Sequence, residues 1–426
     1  MRLPKIVLLA AAALVLLSGS QSADASTSIR YGIQDDAWLA FGPGTLAERA
    51  ERLHDLGVSV VRYTLQWNEI AESRPDEPRS AADPAYDWSR SDAVLKALRA
   101  EGIEAVVGLS GTPSWANGDK PANVAPKRKT DFAAFAYAAA KRYRWVRDWL
   151  VWNEPNQRRW LLPASPRVYV QTLLNPAYAA IHQANRRAVV AGGVTAPRGG
   201  PGGVSPVQFI RGMSAAGARL DVYAHHPYPL RPRETPWTGG CDHCETITMA
   251  TLGRLLTEVY RAFGPKHIWL TEYAYQTNPP DRTLGVSFAT QARFIAEASL
   301  RTYLAPRVDM LIHYLVQDEP DVERWQSGLQ TVTGRAKPAM RAFEFPFAQV
   351  SRSGSRSVVW GQVRPGSGAR AYRLQIFRGA RWSWLGASAR TNSHGFFRVT
   401  IDGRRGTKLR AWAPSLGFYS RVVVIR

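Results

Sequence analysis

Trp149-Leu150-Val151-Trp152-Asn153-Glu154-Pro155-Asn156 sets four large apolar residues directly before an amide and a carboxylate. An unbroken apolar run of this length suits a strand buried on both faces better than one with a wet side. The same texture returns at His267-Ile268-Trp269-Leu270-Thr271, which stops at Glu272. Working outward, further short runs fall at Ile29–Ile33, Val58–Tyr63, Ile103–Leu109, Ala188–Gly193, Leu220–His225 and Val308–Tyr314. Helical patterns fill the gaps: Ala47, Ala50, Leu53 and Leu56 share one face, as do Phe132, Phe135, Ala136 and Ala139. Others are predicted at 169–186, 206–216, 248–263, 287–303 and 337–345, with Thr45, Ser89 or Ser91, and Thr130 as N-terminal caps. Strands and helices alternating eight times predict an α/β fold, a (β/α)8 barrel, over residues 26–347. An open doubly wound sheet would use the same alternation. Its nucleotide fingerprint is missing, because Gly366-Ser-Gly368-Ala-Arg-Ala371 leads into another strand pattern, not a helix.

Both ends of the chain read differently. Arg2 and Lys5, an apolar run from Ile6 to Leu17 and Ala23-Asp24-Ala25 have the order of a secretory signal peptide, residues 1–25. The expectation is an exported protein, extracellular or periplasmic, with no stable membrane anchor. From 348 to 426, Gly- and Pro-punctuated runs at 358–363, 372–377, 382–385, 396–401, 409–412 and 421–425 predict a small antiparallel β-sandwich. Its Trp360, Trp382, Trp384 and Trp412 either bind sugar or fill the domain's own core and its seam with the barrel.

The chain has 426 residues, is 45% hydrophobic and carries 55 Lys+Arg against 34 Asp+Glu, a net +21. That composition excludes disorder and small disulfide scaffolds. The arginines are scattered, and none interleaves with aromatics as a nucleic-acid motif, so no nucleic-acid partner is expected. Acidic polysaccharides remain among the ligands such a charge suits. Cys241 and Cys244 are the only cysteines. A lone C-x-x-C with one nearby histidine lacks a fourth zinc ligand, so a local disulfide is expected, with no metal and no cofactor.

In a barrel, reactive groups stand at the C-terminal ends of the strands. Glu154 follows the fourth strand and Glu272 the seventh, three strands apart in a barrel of eight, so both side chains can overhang the same central pit. Two facing carboxylates meet the demands of glycosidic bond cleavage, in which one holds a proton and the other stays ionised. A separation of about 5–5.5 Å would make a retaining enzyme and about 6.5–9.5 Å an inverting one.

Asn153-Glu154-Pro155 after strand four, with Glu272 after strand seven, resembles glycoside hydrolase clan A, the retaining (β/α)8 glycosidases, with affinities to families five and thirty-nine. The resemblance implies Glu154 as acid/base, Glu272 as nucleophile and Asn153 as the partner of a sugar 2-hydroxyl. It also implies that His226 and Tyr228, in His226-Pro227-Tyr228, and Arg62 surround the nucleophile. The clan commonly has tryptophan at the end of strand eight, where this chain has His313-Tyr314-Leu315. Tyr314 is therefore expected to replace it beneath the sugar, or the floor of the site differs.

Trp67, Trp115, Trp160 and Trp237 lie near strand ends, where exposed indoles make sugar subsites, and Trp67 and Trp115 are taken as substrate-binding. Trp152 is assigned to barrel packing and His225 to structure. The sequence therefore predicts an exported retaining glycoside hydrolase acting on β-linked poly- or oligosaccharide, acidic ones included. A non-catalytic glycan-binding protein and a transglycosidase on the same barrel are the alternatives.

Overall fold

A computed structural model describes residues 28–241 and 244–426. The expected signal peptide, residues 1–25, lies outside them. Eight parallel strands close a barrel in sequence order: β1 (Arg30–Gln34), β2 (Val60–Gln66), β3 (Glu104–Ser110), β4 (Asp148–Val151), β5 (Val189–Thr195), β6 (Val222–His225), β7 (His267–Tyr273) and β8 (Val308–Tyr314). β8 returns to β1 in register from Arg30↔Met310 to Gln34↔Tyr314. Val60, Val106, Leu150, Val222, Trp269 and Met310 fill the barrel interior. Their neighbours Val61, Val107, Trp149, Tyr223, Ile268 and Leu311 join the core under the helices. Side chains alternate across a strand, so burial on both faces demands the continuous apolar runs seen in the sequence. Gly32 is required inside the barrel, because a Cβ there would strike the Val60 carbonyl and the Ile312 side chain.

Thr45 caps the helix Leu46–Asp55 through a capping box with Glu48. The other expected caps do not form. Ser89 is already helical, with its N–H bonded to the Asp87 carboxylate at 2.9 Å, and Thr130 lies inside Lys129–Arg142. The helix expected over 169–186 opens as a wide π turn, Tyr169–Leu174, before the α-helix Asn175–Ala184. Pro176 cannot donate into a regular helix and its ring crowds the preceding turn, so the backbone widens ahead of it.

The C-terminal part is two antiparallel sheets. One holds β9 (Phe347–Ser353), β10 (Arg356–Gln362) and β13 (Phe396–Asp402). The other holds β11 (Ala371–Arg378), β12 (Arg381–Arg390), β14 (Lys408–Ala413), β15 (Phe418–Tyr419) and β16 (Val423–Val424). β9 and β15 extend the six strands expected. Val359, Phe397, Leu374, Ile376, Leu409 and Ala411 form the core between the sheets. Trp360 and Phe396 point the other way and pack on Tyr303 of the barrel, at ring separations of 5.3 and 4.8 Å. The three-stranded sheet is thus wedged between the barrel and the five-stranded sheet. Arg364 crosses this seam, its guanidinium 4.0 Å from the Tyr31 ring and its Nη1 donating to the Phe343 carbonyl at 2.6 Å.

Candidate active site

A cleft of about 620 Å³ opens over the C-terminal ends of the barrel strands, with Glu154 and Glu272 on its walls. Both backbones are shaped for this. After β4 the chain turns through left-handed conformations at Trp152 (φ 71°) and Glu154 (φ 39°), unusual for non-glycine residues and a mark of imposed strain. A bulge in β5 between Gly193 and Thr195 receives it: the Glu154 N–H donates to the Val194 carbonyl at 2.9 Å, and the His226 N–H to the Thr195 carbonyl at 2.9 Å. The Asn156 side chain, fully buried, ties the same turn to Ala196, Arg198 and Val204. In β7, register shifts between Leu270 and Tyr273 bring Glu272 into the cleft.

Arg62 is the hub. Buried in β2, it donates through Nη1 to Glu272 Oε1 and through Nη2 to Asn153 Oδ1 at 2.7 Å. Tyr228 donates its hydroxyl to Glu272 Oε2 at 2.9 Å. His226 lies between the two carboxylates, its Nδ1 2.9 Å from Glu154 Oε1 and 3.6 Å from Glu272 Oε2. One oxygen of Glu154, one of Glu272 and a ring nitrogen of His226 lie within 4.8 Å of one another. Such a trio has the donors for a cation, but Arg62 and Tyr228 already occupy both oxygens of Glu272 and Arg62 supplies the balancing charge.

The electrostatics favour a protonated Glu154. Burial pushes the Glu154 carboxyl up to about 7, against the opposing pull of Arg62, the Trp160 indole, Arg159 and Arg198. Burial also lowers His226 to about 3, so its ring is neutral near pH 7, although the Glu272 charge pulls the other way. Tyr228 is raised well above the ordinary phenol range by burial and by the Glu272 charge, and it remains a donor.

The sequence profile described as Cellulase (glycosyl hydrolase family 5) matches residues 20–276. The chain belongs to glycosyl hydrolase family 5. This family 5 barrel also superposes on solved glycoside hydrolase structures. A family 39 glycoside hydrolase from the gut symbiont Bacteroides cellulosilyticus WH2 aligns with TM-score 0.59 and 18% identity, over 89% of this chain and 81% of its own. The GH39 enzyme from Xanthomonas axonopodis pv. citri aligns at 0.59 and 14%, over 91% and 94%. A monomeric beta-xylosidase from Caulobacter crescentus CB15 aligns at 0.57 and 15%, over 88% and 94%. At these identities the superpositions report the shared barrel fold. No curated protein matches by sequence.

The hydrolase brings Glu154, Glu272, Asn153, Arg62, Tyr228 and Tyr314 to one cleft, with His226 buried just beneath. Two expected subsites are corrected. Trp67 is fully buried against Phe132 and Phe135, and Trp115 caps it edge-on at 5.5 Å with its indole N–H on the Ala71 carbonyl. Neither lines the cleft. Trp67 opens a short helix, Trp67–Ile70, which carries its indole into the helix layer. The aromatic floor is instead built by Tyr314 and Trp325, 5.3 Å apart, with Trp325 also 4.8 Å from Tyr228. Trp325 comes from the long loop after β8, and only its residue type could have drawn notice in the sequence. Asp36 was also missed. It lines the cleft with an unpartnered Oδ1, and burial pushes its carboxyl up to about 7. Cys241 and Cys244 form the expected local disulfide beyond β6.

Proposed function

We propose that this glycoside hydrolase cleaves β-glycosidic bonds with retention, Glu154 serving as acid/base and Glu272 as nucleophile. The observation that carries the reading is the approach of their carboxylate oxygens to within 4.8 Å, which matches the short spacing of retaining pairs and falls below the roughly 6.5–9.5 Å that inverting pairs need to hold sugar and water together. Glu272 attacks the anomeric carbon as its bond to the leaving oxygen breaks, and Glu154 gives its proton to that oxygen. The product is a glycosyl ester on Glu272. Glu154, now ionised, takes a proton from water as the water oxygen attacks the same carbon, and Glu272 leaves as carboxylate. Asn153, held by Arg62, is aimed at the sugar 2-hydroxyl. Tyr314 and Trp325 form the apolar floor. Arg159 and Arg198 line the cleft close enough to Glu154 to act on its carboxyl, on the side where the leaving group sits, and with Arg231 elsewhere in the lining they favour an acidic sugar.

Residues 1–25 are read as an export leader, which the disulfide suits. N-terminal sequencing of secreted protein would then begin after Ala25. The mechanism is tested by proton NMR of the first sugar released from a panel of β-glycans, acidic ones included. Release of the β-anomer supports it and initial release of the α-anomer overturns it. A panel read for reducing ends beside Glu154→Ala and Glu272→Ala identifies the substrate class.

A further inference from the structure

The charge of this chain is not evenly spread. Residues 347–426 hold fifteen Lys and Arg against a single acid, Asp402, a net +14 of the chain's +21. Asp402 closes β13, in the three-stranded sheet. The barrel covers that sheet, so the outer face of the five-stranded sheet is the one turned to solvent. Residues directly opposite in antiparallel strands share a face. The pairs Phe377↔Trp382, Gln375↔Trp384, Gln375↔Arg410, Arg373↔Trp412 and Trp412↔Tyr419 all project outward, because Leu374, Ile376, Leu409 and Ala411 take the core side.

On this face cations and rings alternate, which the spacing along the chain did not show. The Arg410 guanidinium lies 4.3 Å from the Trp382 ring and 3.8 Å from the Tyr419 ring. Arg373 lies 4.3 Å over Trp384, which is 42% exposed. Each arginine spends its Nε on the sheet, Arg410 on Gln375 at 2.8 Å and Arg373 on the Gly386 carbonyl at 3.2 Å. Neither forms an ion pair among the described residues, so the outer N–H forks stay open. We propose that this face binds a linear polyuronate, a polysaccharide with a carboxylate on each sugar. Stacking fixes the guanidinium planes beforehand, so little side-chain freedom is lost when their forks meet carboxylates. The same stacking covers ring faces that a neutral sugar or a splayed base would need, which favours an acidic glycan over both. Arg373 and Arg410 are diagonal neighbours on adjacent strands, about 7–8 Å apart on such a face, so one chain laid across the sheet meets both.

This site goes beyond the proposed reaction and does not depend on it. The test uses the full chain carrying Glu272→Gln, which keeps the probe intact, in affinity electrophoresis with polygalacturonate. Methyl-esterified polygalacturonate, neutral xylan and duplex DNA run in parallel. Retardation by polygalacturonate is expected, weakening as salt rises to about 0.5 M. It should fall at least about tenfold in Arg373→Gln/Arg410→Gln and several-fold in the Lys/Lys pair, which keeps the charge but loses the fork. Loss of binding on methyl esterification shows that the carboxylates are what is bound, and the fall in the Gln/Gln variant places that binding on this face and not in the cleft. Equal binding of the esterified polymer, unchanged binding in a folded Gln/Gln variant, or DNA binding as strong as polyuronate at every salt concentration would overturn it. A cleft inactive on every glycan would leave these outcomes unaffected.

Discussion

His226 and Glu154 meet through the imidazole Nδ1 and the carboxyl Oε1, 2.9 Å apart, and the protonation of that contact is decided on the far side of the ring. There Nε2 faces Arg62 Nη1 at 3.0 Å and the Thr271 hydroxyl at 3.1 Å. A guanidinium can only donate, so Nε2 is the acceptor and the neutral ring carries its proton on Nδ1. His226 therefore donates to Oε1 and leaves Oε2 of Glu154 to hold the proton that moves. The Arg62 guanidinium thus serves both acids, Glu272 directly and Glu154 through the ring.

Replacing His226 with alanine should lower kcat by about 10–100-fold by freeing Glu154 to rotate. His226→Asn, whose amide N–H can reach the same oxygen, should recover part of the loss. Steady-state kinetics on one aryl β-glycoside compares the two variants. Equal damage in both would deny the donor role.

The pH dependence follows from Glu154. A general acid must be protonated, so kcat/KM should fall as pH rises through about 7. Asp36 titrates in the same range, and Asp36→Asn should leave that limb in place. The fold itself should respond in the same direction. Raising the carboxyl from 4.5 to about 7 means that the native state binds the proton more tightly than the unfolded chain, so stability declines as pH rises between those values. Glu154→Gln should make the decline shallower, read as Tm against pH, with the remainder belonging to Asp36, Asp35 and Glu344, which burial also raises.

Azide separates the two glutamates. With an activated aryl β-glycoside and azide, Glu154→Ala should yield the β-glycosyl azide, because the sugar still passes through the ester on Glu272. Glu272→Ala should yield the α-azide, formed from the side the carboxylate has vacated. Each variant alone should lose at least about a thousandfold in hydrolysis of a substrate with a poor leaving group. Product anomers in the opposite sense would exchange the two roles.

Trp67 and Trp325 offer a paired contrast. Trp67→Ala removes a fully buried indole and should cost about 3–5 kcal/mol of stability with little change in KM. Trp325→Ala should leave Tm nearly unchanged and raise KM, since its ring borders the cleft beside Tyr228 and Tyr314. Denaturant melts and Michaelis curves on both variants decide the matter.

The barrel was readable because strands buried on both faces cannot hide their composition, and the glutamates because a carboxylate ending such a run has few other uses. What failed was facing. Nearness to a strand end put Trp67 and Trp115 in the site, but a short helix beginning at Trp67 turned that indole into the packing around Phe132. Trp325 lay hidden for the opposite reason. Its loop is brought back over the cleft by long-range contacts, among them the buried Lys337–Asp318 ion pair at 2.6 Å and the Lys337 bond to Thr277 at 2.9 Å. No local pattern encodes such a return path. The arginines of the sandwich looked scattered because register across strands, not spacing along the chain, sets them among the rings.

The seam at Arg364 bears on how the molecule comes apart. Its guanidinium is bonded to Gln362 on the sandwich side and to the Phe343 carbonyl and the Ser299 hydroxyl on the barrel side. Neither side can melt without stranding this charge or uncovering Trp360, Phe396 and Tyr303. Barrel and sandwich are therefore expected to unfold as one cooperative unit, in a single calorimetric transition. A chain shortened to its catalytic barrel would carry a hydrophobic scar where the three-stranded sheet had been, and should aggregate before it could be assayed.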